Sequence, residues 1–220
     1  PMRIAYINPN STEGMTDAIV ATARGALPDA EIFGLTNAQG PRAIQGTEDG
    51  ARAVPGVLSR LDVARARGAE AIVIACFDDT GLAEAQAKAG LPVLGIGQAS
   101  YVMASLLGLR FSVVTSLAVS IPVIEENIGA LGYAGHCASI RASGLPVLTI
   151  DEGGPEVIAR IASEIELART EDAAAAAVLG CAGMAPLRAA LQERADIPLI
   201  DGVAASAHLA RAAAGSRIRG

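Results

Sequence analysis

The sequence predicts an α/β fold of two pseudo-symmetric lobes, each built on a parallel sheet, with a ligand cleft between them. Short apolar, β-branched runs alternate with longer alanine-rich segments of helical character. The runs are apolar on both faces, which is typical of parallel strands covered by helices on both sides. The two halves of the chain also resemble each other in the order and content of these segments.

In the first half, each strand prediction rests on an apolar run, and each helix prediction rests on the segment that follows. The strands are RIAYIN at 3–8, then 30–35, EAIVIA at 70–75 and PVLGI at 92–96. The helices are predicted at 12–25, where NPNST at 8–12 supplies capping residues, and at 47–67, 80–89 and 98–107.

The second half follows the same pattern. Its strands are FSVVT at 111–115, then 138–141, AAVLG at 176–180 and IPLI at 197–200. Its helices are predicted at 117–131, 155–168, 184–194 and 201–213.

An internal repeat relates the two halves at an offset of 105 to 107 residues. We therefore predict a first lobe of 1–100 plus 201–220 and a second lobe of 101–200, related by a pseudo-twofold axis. The matched pairs are RIAYIN at 3–8 with RFSVVT at 110–115, the segments that reach Cys76 and Cys181, and the strands that begin at Pro92 and Pro198.

Composition argues against several classes of function. The net charge is −6 and the 17 Lys and Arg residues are scattered, so neither nucleic acid nor an anionic membrane is an expected partner. No apolar run reaches the roughly 18 residues of a membrane-spanning helix, and no export signal is expected. Trp is absent, which argues against a stacking surface for bases. The single lysine, Lys88, lies in a segment typical of a surface helix, so no pyridoxal cofactor is expected.

The three cysteines indicate a reducing compartment, and a cytoplasmic location is expected. Their number is odd and they form no CxxC pair, so neither a disulfide framework nor a zinc ribbon is predicted. Cys137 has no counterpart in the other half and is expected to be a core thiol. His136 beside it is one of two histidines without ligand spacing, so no metal is expected.

Cys76 and Cys181 stand at matching points of the repeat, where a buried strand ends and a helix is predicted to begin. Ligands bind beyond the carboxyl ends of strands in open α/β sheets, so the two thiols are expected on opposite walls of one cleft. A helix N-terminus favours the thiolate, which predicts a lowered pKa for each thiol. A single cysteine in such a place is more often a packed hydrophobe, but the matched pair favours catalysis.

Two opposed thiols can racemise a carbon that lies beside a carbonyl, because one removes a proton from one face and the other returns a proton to the opposite face. Backbone amides after each cysteine would stabilise the developing oxyanion. Amide and hydroxyl side chains that follow the first strand of each lobe suit a neutral polar ligand, although each also has a structural interpretation as a turn or cap. The predicted substrate-binding residues are Asn8, Asn10, Ser11, Phe77, Asp78, Thr115, Ser116, Ala182 and Gly183.

Two features near the cysteines, a pair of aspartates and a glycine-containing segment, are expected to be structural. The carboxyl groups of Asp78 and Asp79 are expected to act as helix caps, with Asp79 or Thr80 beginning the helix near Gly81. The segment GIGQAS at 95–100 precedes a helix but lacks the third glycine of a nucleotide-binding loop.

These residues together resemble the hydantoin racemase branch of the aspartate/glutamate racemase superfamily, and the resemblance covers nearly the whole chain. Its most specific part is the pair ACFDDTGL at 75–82 and VLGCAGM at 178–184, where amino-acid racemases are instead similar to CNTA and GCT. The other motifs that carry it are INPNST at 7–12, PVLGIG at 92–97, RFSVVT at 110–115, SIPVIEENI at 120–128, CASIRASGLPVL at 137–148 and PLIDGV at 198–203.

The resemblance implies a racemase of 5-monosubstituted hydantoins that needs no cofactor, or the allantoin racemase that shares this pattern. It implies Cys76 and Cys181 as the two bases, a small-molecule substrate and a homo-oligomer. Relatives tend to have glutamate where this chain has Gln45 and Gln98, which leaves the substrate open. The alternatives are an amino-acid racemase, a cis–trans isomerase with one nucleophilic thiol, a two-lobed binding protein and an oxidisable thiol pair.

Overall fold

The computed structural model describes residues 1–216, and its first half forms one parallel sheet with flanking helices. The strands β1 to β4 lie in the order β2-β1-β3-β4. In chain order the elements are β1 (Arg3–Asn8), α1 (Glu13–Ala26), β2 (Glu31–Thr36), α2 (Thr47–Ala66), β3 (Ala71–Ile74), α3 (Leu82–Lys88), β4 (Val93–Gly95) and α4 (Ile96–Leu106).

The second half forms another parallel sheet, with the strand order β6-β5-β7-β8. Short 3-10 helices at 118–120, 134–136 and 182–187 accompany it. Its elements are β5 (Phe111–Thr115), α5 (Ile121–Ala130), β6 (Cys137–Ala142), α6 (Val147–Glu152), α7 (Pro155–Glu171), β7 (Ala176–Gly180), α8 (Arg188–Gln192), β8 (Leu199–Asp201) and α9 (Gly202–Gly215).

The two sheets have the same topology, which confirms the predicted fold of two parallel-sheet lobes. In each sheet the first strand lies between the second and the third, so the direction of winding changes beside it. The carboxyl ends of strands at such a switch point leave a crevice between the loops that follow them. The loops after β1 and β3 in one sheet, and after β5 and β7 in the other, therefore form the natural place for a ligand.

The structure departs from the predicted elements at four helix starts, and it contains one helix that was not predicted. Helix α4, predicted from residue 98, begins at Ile96, which was predicted as the last residue of a strand. The helix predicted from residue 80 begins at Leu82, because Gly81 has a left-handed backbone with φ of 74°. The helices predicted from 117 and 184 each begin as a 3-10 turn, and α5 and α8 follow it. Helix α6 was not predicted, since its six residues are too few to show a helical period.

The largest hydrophobic cluster lies between the sheets and joins them, with Tyr101 stacked on Phe111 at 5.6 Å between ring centroids. Helix α9 packs against α1 and α4, and its Ser206 hydroxyl is 2.9 Å from the buried Tyr6 hydroxyl of β1. The division into 1–100 with 201–220, and 101–200, stays a prediction, and residues 217–220 lie outside the described part. Within residues 1–216, no helix has the length and apolar character needed to cross a membrane.

Candidate active site

Cys76 and Cys181 line one cavity at the switch points of the two sheets. Cys76 lies two residues beyond the end of β3, and Cys181 follows the last residue of β7. Both strands are buried along their whole length, so the loops that follow them are held firmly in place. The two thiols lie close enough that Cys181 adds to the rise in the pKa of Cys76.

The cavity has a volume of about 370 Å³, which includes space open to solvent. Among residues 1–216, no Lys, Arg or His lines it, and Asp78 is the one acidic residue that does. Its lining residues are Asn10, Met15, Ile44, Ala75, Cys76, Phe77, Asp78, Thr115, Ser116, Ser120, Val147, Gly180, Cys181 and Ala182.

Most of the predicted site residues meet at this cavity, but three lie behind or beside it. Asn8 is buried beneath Asn10 and donates from its amide to Asn10 Oδ1 at 2.9 Å and to Thr16 Oγ1 at 3.0 Å. The backbone amide of Ser11 donates a hydrogen bond to Pro41 O at 2.9 Å. Gly183 is not part of the lining either, although its amide faces the sulfur of Cys181.

Sequence reasoning missed several lining residues that come from other elements. Met15 reaches the cavity from α1, Val147 from the first turn of α6, and Ile44 from the loop before α2. Gln45, next to Ile44, accepts a hydrogen bond from the Val147 amide at 3.0 Å and thereby ties the two lobes together over the cavity. Ser120, Ala75 and Gly180 adjoin motifs that the sequence does reveal, so proximity in the chain was a usable signal for them.

Cys181 is positioned by the start of a short helix. It is the residue that precedes the 3-10 helix at 182–187, and its side chain is 8% exposed. Burial raises the pKa of its thiol to about 12, with Asp78 and Asp151 adding to the rise. The amides of Gly183 and Met184 donate toward the sulfur and oppose that rise.

Cys76 is positioned by an irregular turn rather than by a helix. The Thr80 hydroxyl donates to its sulfur at 3.5 Å, and the Asp78 amide also supports the thiolate. Burial raises its pKa far above the ordinary value, and the charge of Asp78 adds to the rise. The prediction that both thiols have a lowered pKa is therefore wrong, because desolvation outweighs the few amides that face each sulfur.

The carboxylate of Asp79 binds the N-terminus of α4, a contact that the sequence did not predict. Its two oxygens accept from the amides of Gly97 at 2.9 Å and Gln98 at 2.8 Å. A side chain at Gly95 or Gly97 would collide with this carboxyl group, so the glycines of the GIGQ segment make room for it. The expected capping of α3 by Asp79 or Thr80 is wrong, since Gly81 precedes that helix without a side-chain cap.

Asp78 lines the cavity, and its charge acts on both thiols. Its Oδ2 atom is buried and has no hydrogen-bond partner within residues 1–216. Burial raises its pKa to about 7. Its backbone carbonyl accepts from the Asn127 side chain at 2.9 Å, which fixes the turn between Cys76 and α3.

The cavity is equipped to bind a neutral ligand with carbonyl groups and to move protons. Within residues 1–216, Asn10 Nδ2 donates only to the sulfur of Met15, at 3.5 Å. A thioether is a weak acceptor, which leaves this amide able to donate to a ligand. Thr115 instead donates its hydroxyl to Gly180 O at 3.0 Å and supports the turn before Cys181. Cys137 lies apart on β6, where its thiol faces Ser139 O at 3.4 Å.

The chain is similar to known proteins over nearly its whole length. The family described as Asp/Glu/Hydantoin racemase matches residues 4–210. A hydantoin racemase from Rhizobium meliloti is 41% identical over 216 residues, which cover 98% of this chain and 90% of that protein. The structure of an allantoin racemase from Klebsiella pneumoniae has a TM-score of 0.91 and 36% identity, and covers 96% of this chain and 87% of that one. A second allantoin racemase structure, from Pseudomonas fluorescens, has a TM-score of 0.91 at 34% identity, covering 96% and 90%.

Proposed function

The chain belongs to the Asp/Glu/hydantoin racemase family, and we propose that it racemises 5-monosubstituted hydantoins without a cofactor, using Cys76 and Cys181 as two acid–base groups. The observation that carries this proposal is that both thiols line one cavity, to which the described part of the chain contributes no basic side chain. A cation in the cavity wall would favour a carboxylate substrate, whereas a hydantoin ring presents only neutral carbonyl and N–H groups. The lining therefore supports a cyclic amide over an amino acid.

In the proposed reaction the ring lies between the two sulfurs, with C5 facing one on each side. One thiolate takes the C5 proton, and the electron pair moves onto the neighbouring carbonyl oxygen as an enolate. The opposite thiol then gives its proton to the other face of C5 and becomes the thiolate. A turnover thus exchanges the protonation states of Cys76 and Cys181, and the reverse turnover restores them.

The high pKa of the thiols suits this chemistry in one respect. The C5–H group is a weak acid, so a base with a high pKa makes the transfer of the proton from C5 more favourable. The enolate oxygen requires hydrogen-bond donors where its charge develops. We assign that role to the backbone amides of Phe77 and Ala182, together with Asn10, because the amides of Asp78 and Gly183 face the two sulfurs.

Allantoin, whose C5 carries a ureido group, is the second candidate substrate. Two solved structures with a TM-score of 0.91 are allantoin racemases, which favours this alternative. A cis–trans isomerase is the other alternative within the superfamily, and it would form a covalent adduct on one cysteine.

Proton NMR in D₂O tests the proposed function directly. Single enantiomers of 5-benzylhydantoin and of allantoin are incubated with the protein, and the C5 proton signal and optical rotation are followed against a sample without protein. We expect both to disappear together for at least one substrate. Protein-independent rates for both would contradict the proposal, and a mass increase on one cysteine would support the isomerase.

We further propose that the protein is a cytoplasmic homo-oligomer. The three unpaired cysteines support a reducing compartment. Leu106 and Leu107 at the end of α4 are 69% and 55% exposed, and a mostly apolar groove runs between α4 and α9, which supports a contact between copies there. Light scattering after size-exclusion chromatography measures the oligomeric state.

A further inference from the structure

We propose that the carboxyl group of Asp78 selects substrates whose C5 substituent carries an N–H donor, either neutral or cationic, over substrates with a hydrocarbon substituent. The inference rests on the proposed function and extends it from the ring to the substituent. Asp78 thereby acts as a specificity-determining residue, while the thiols perform the proton transfer.

The position of Asp78 between two spaces is the first observation. Its side chain lines the cavity that holds both cysteines, and it also lines a second space between α2 and α5, which we call the outer cleft. Asn127 of α5 holds the backbone carbonyl of Asp78, so the turn is fixed in this position. Because Asp78 borders both spaces, a group that extends from the ring toward the outer cleft passes its carboxyl group.

The unsatisfied carboxyl oxygen is the second observation. Oδ2 is buried without a partner within residues 1–216, while the neighbouring Asp79 uses both of its oxygens on α4. A buried polar atom without a hydrogen bond is costly, and a buried charge without a partner more so. A donor on the ligand is therefore the partner that this oxygen lacks.

The electrostatics of both spaces point the same way. Within residues 1–216, no Lys, Arg or His lines the cavity or the outer cleft, and Asp79 and Glu126 join Asp78 at the outer cleft. Threonines 47 and 80 offer hydroxyl groups there as well. A substituent that ends in N–H groups or in a cation finds acceptors along this route. A hydrocarbon chain would exclude water from Asp78 without donating a hydrogen bond to it.

Binding at Asp78 is also coupled to the chemical step. The charge of Asp78 raises the pKa of both Cys76 and Cys181. A donor or cation that pairs with this charge offsets the effect and makes the thiolate easier to form. A matched substituent is therefore expected to raise kcat as well as to lower KM.

The test compares three hydantoins that differ only at C5. Allantoin carries a neutral ureido group, 5-(3-aminopropyl)hydantoin carries a cation, and 5-butylhydantoin carries a hydrocarbon chain of similar length. Racemisation by the wild-type protein, Asp78→Ala and Asp78→Asn is measured for each, with Glu84→Gln as a control that removes an exposed carboxylate of α3. Thermal unfolding confirms that each variant is folded.

We expect the wild-type protein to prefer the N–H substrates, and Asp78→Ala to reduce that preference, as the ratio of kcat/KM values to 5-butylhydantoin, by at least ~10-fold. Glu84→Gln should match the wild type for all three substrates. Asp78→Asn keeps an acceptor but no charge, so it should lose the preference for the cation most. If Asp78→Ala does not fold, the near-isosteric Asn variant carries the test.

Two results would contradict the inference, and they can be distinguished from each other. In the first, the wild type racemises the hydantoins, but the kcat/KM ratios to 5-butylhydantoin change by less than twofold in folded Asp78 variants. This result would overturn the role of Asp78 and leave the proposed function in place. Wild-type inactivity toward all three hydantoins would overturn the proposed function, and the role of Asp78 with it. A larger loss for allantoin than for the aminopropyl compound would identify a neutral N–H group as the preferred partner.

Discussion

The second lobe places Cys181 at the head of a 3-10 helix, whereas the first lobe places Cys76 in a turn that does not become helical until Leu82. The strands before them are equivalent in the two sheets. Two amides face the sulfur of Cys181, while one hydroxyl and one amide support Cys76. Repeated topology thus delivers both thiols to one cavity without giving them the same environment.

The two lobes also differ in where the carboxylate that caps a helix comes from. At the end of β8, in the second half of the chain, Asp201 precedes α9 and accepts from the amides of Val203 and Ala204 at 2.9 and 3.2 Å. At the matching place of the first lobe stands Gly95, and Asp79 from the turn after Cys76 supplies the carboxylate instead. The first lobe therefore couples its cysteine turn to a neighbouring helix, and the second lobe does not.

The largest expected effect tests whether the two cysteines are equivalent in function despite this difference. Cys76→Ser and Cys181→Ser should each lower racemisation by at least ~10²-fold, because each removes one of the two acid–base groups. Each variant should still exchange the C5 proton of one enantiomer on the face served by the remaining thiol, which NMR in D₂O detects.

Cys137→Ser is the matched control, since this thiol lies on β6 outside the cavity. It should retain nearly full activity. Loss of activity at Cys137 with retention at Cys76 or Cys181 would remove the basis of the two-base assignment.

The coupling of the first cysteine turn to α4 is tested by a matched pair of cap variants. Asp79→Ala and Asp201→Ala should each lower the free energy of unfolding by about 1–2 kcal/mol, because each leaves two helix amides without an acceptor. Only Asp79→Ala should also lower kcat/KM, by roughly 10–100-fold, because it loosens the turn that carries Cys76. Denaturant unfolding and steady-state kinetics separate the two effects, and equal kinetic losses in both variants would refute the coupling.

The smallest expected effect concerns the pH dependence. Burial raises the pKa of both thiols, to about 12 for Cys181, so the thiolate fraction and the activity should increase as the pH rises from 7 toward 10. Asp78→Asn removes a charge that contributes to the rise in both thiols, and should shift the profile of kcat/KM toward lower pH by about 1 unit. Ionisation of the substrate is common to both proteins and does not change the comparison. Glu84→Gln should leave the pH profile of kcat/KM unchanged. If Asp78→Asn also leaves it unchanged, Asp78 does not act on the thiols.

The sequence alone determined the strands, the repeat and the two cysteines. Apolar runs such as AIVI at 71–74 are local signals. A strand that is buried on both faces is apolar at every position, so it can be predicted without knowledge of its partner strands. The repeat then placed Cys76 and Cys181 at equivalent strand ends, and the rule for open sheets placed both at one cleft.

Only the tertiary structure decided how each side chain in the cavity is used. Asp79 finds its partners at residues 97 and 98, and Met15 and Val147 enter the cavity from helices remote in sequence. The direction of the thiol pKa shifts was likewise settled by burial, which the sequence does not quantify. These properties depend on which groups meet in three dimensions and on how much water is excluded around them, and neither follows from the local pattern of residues.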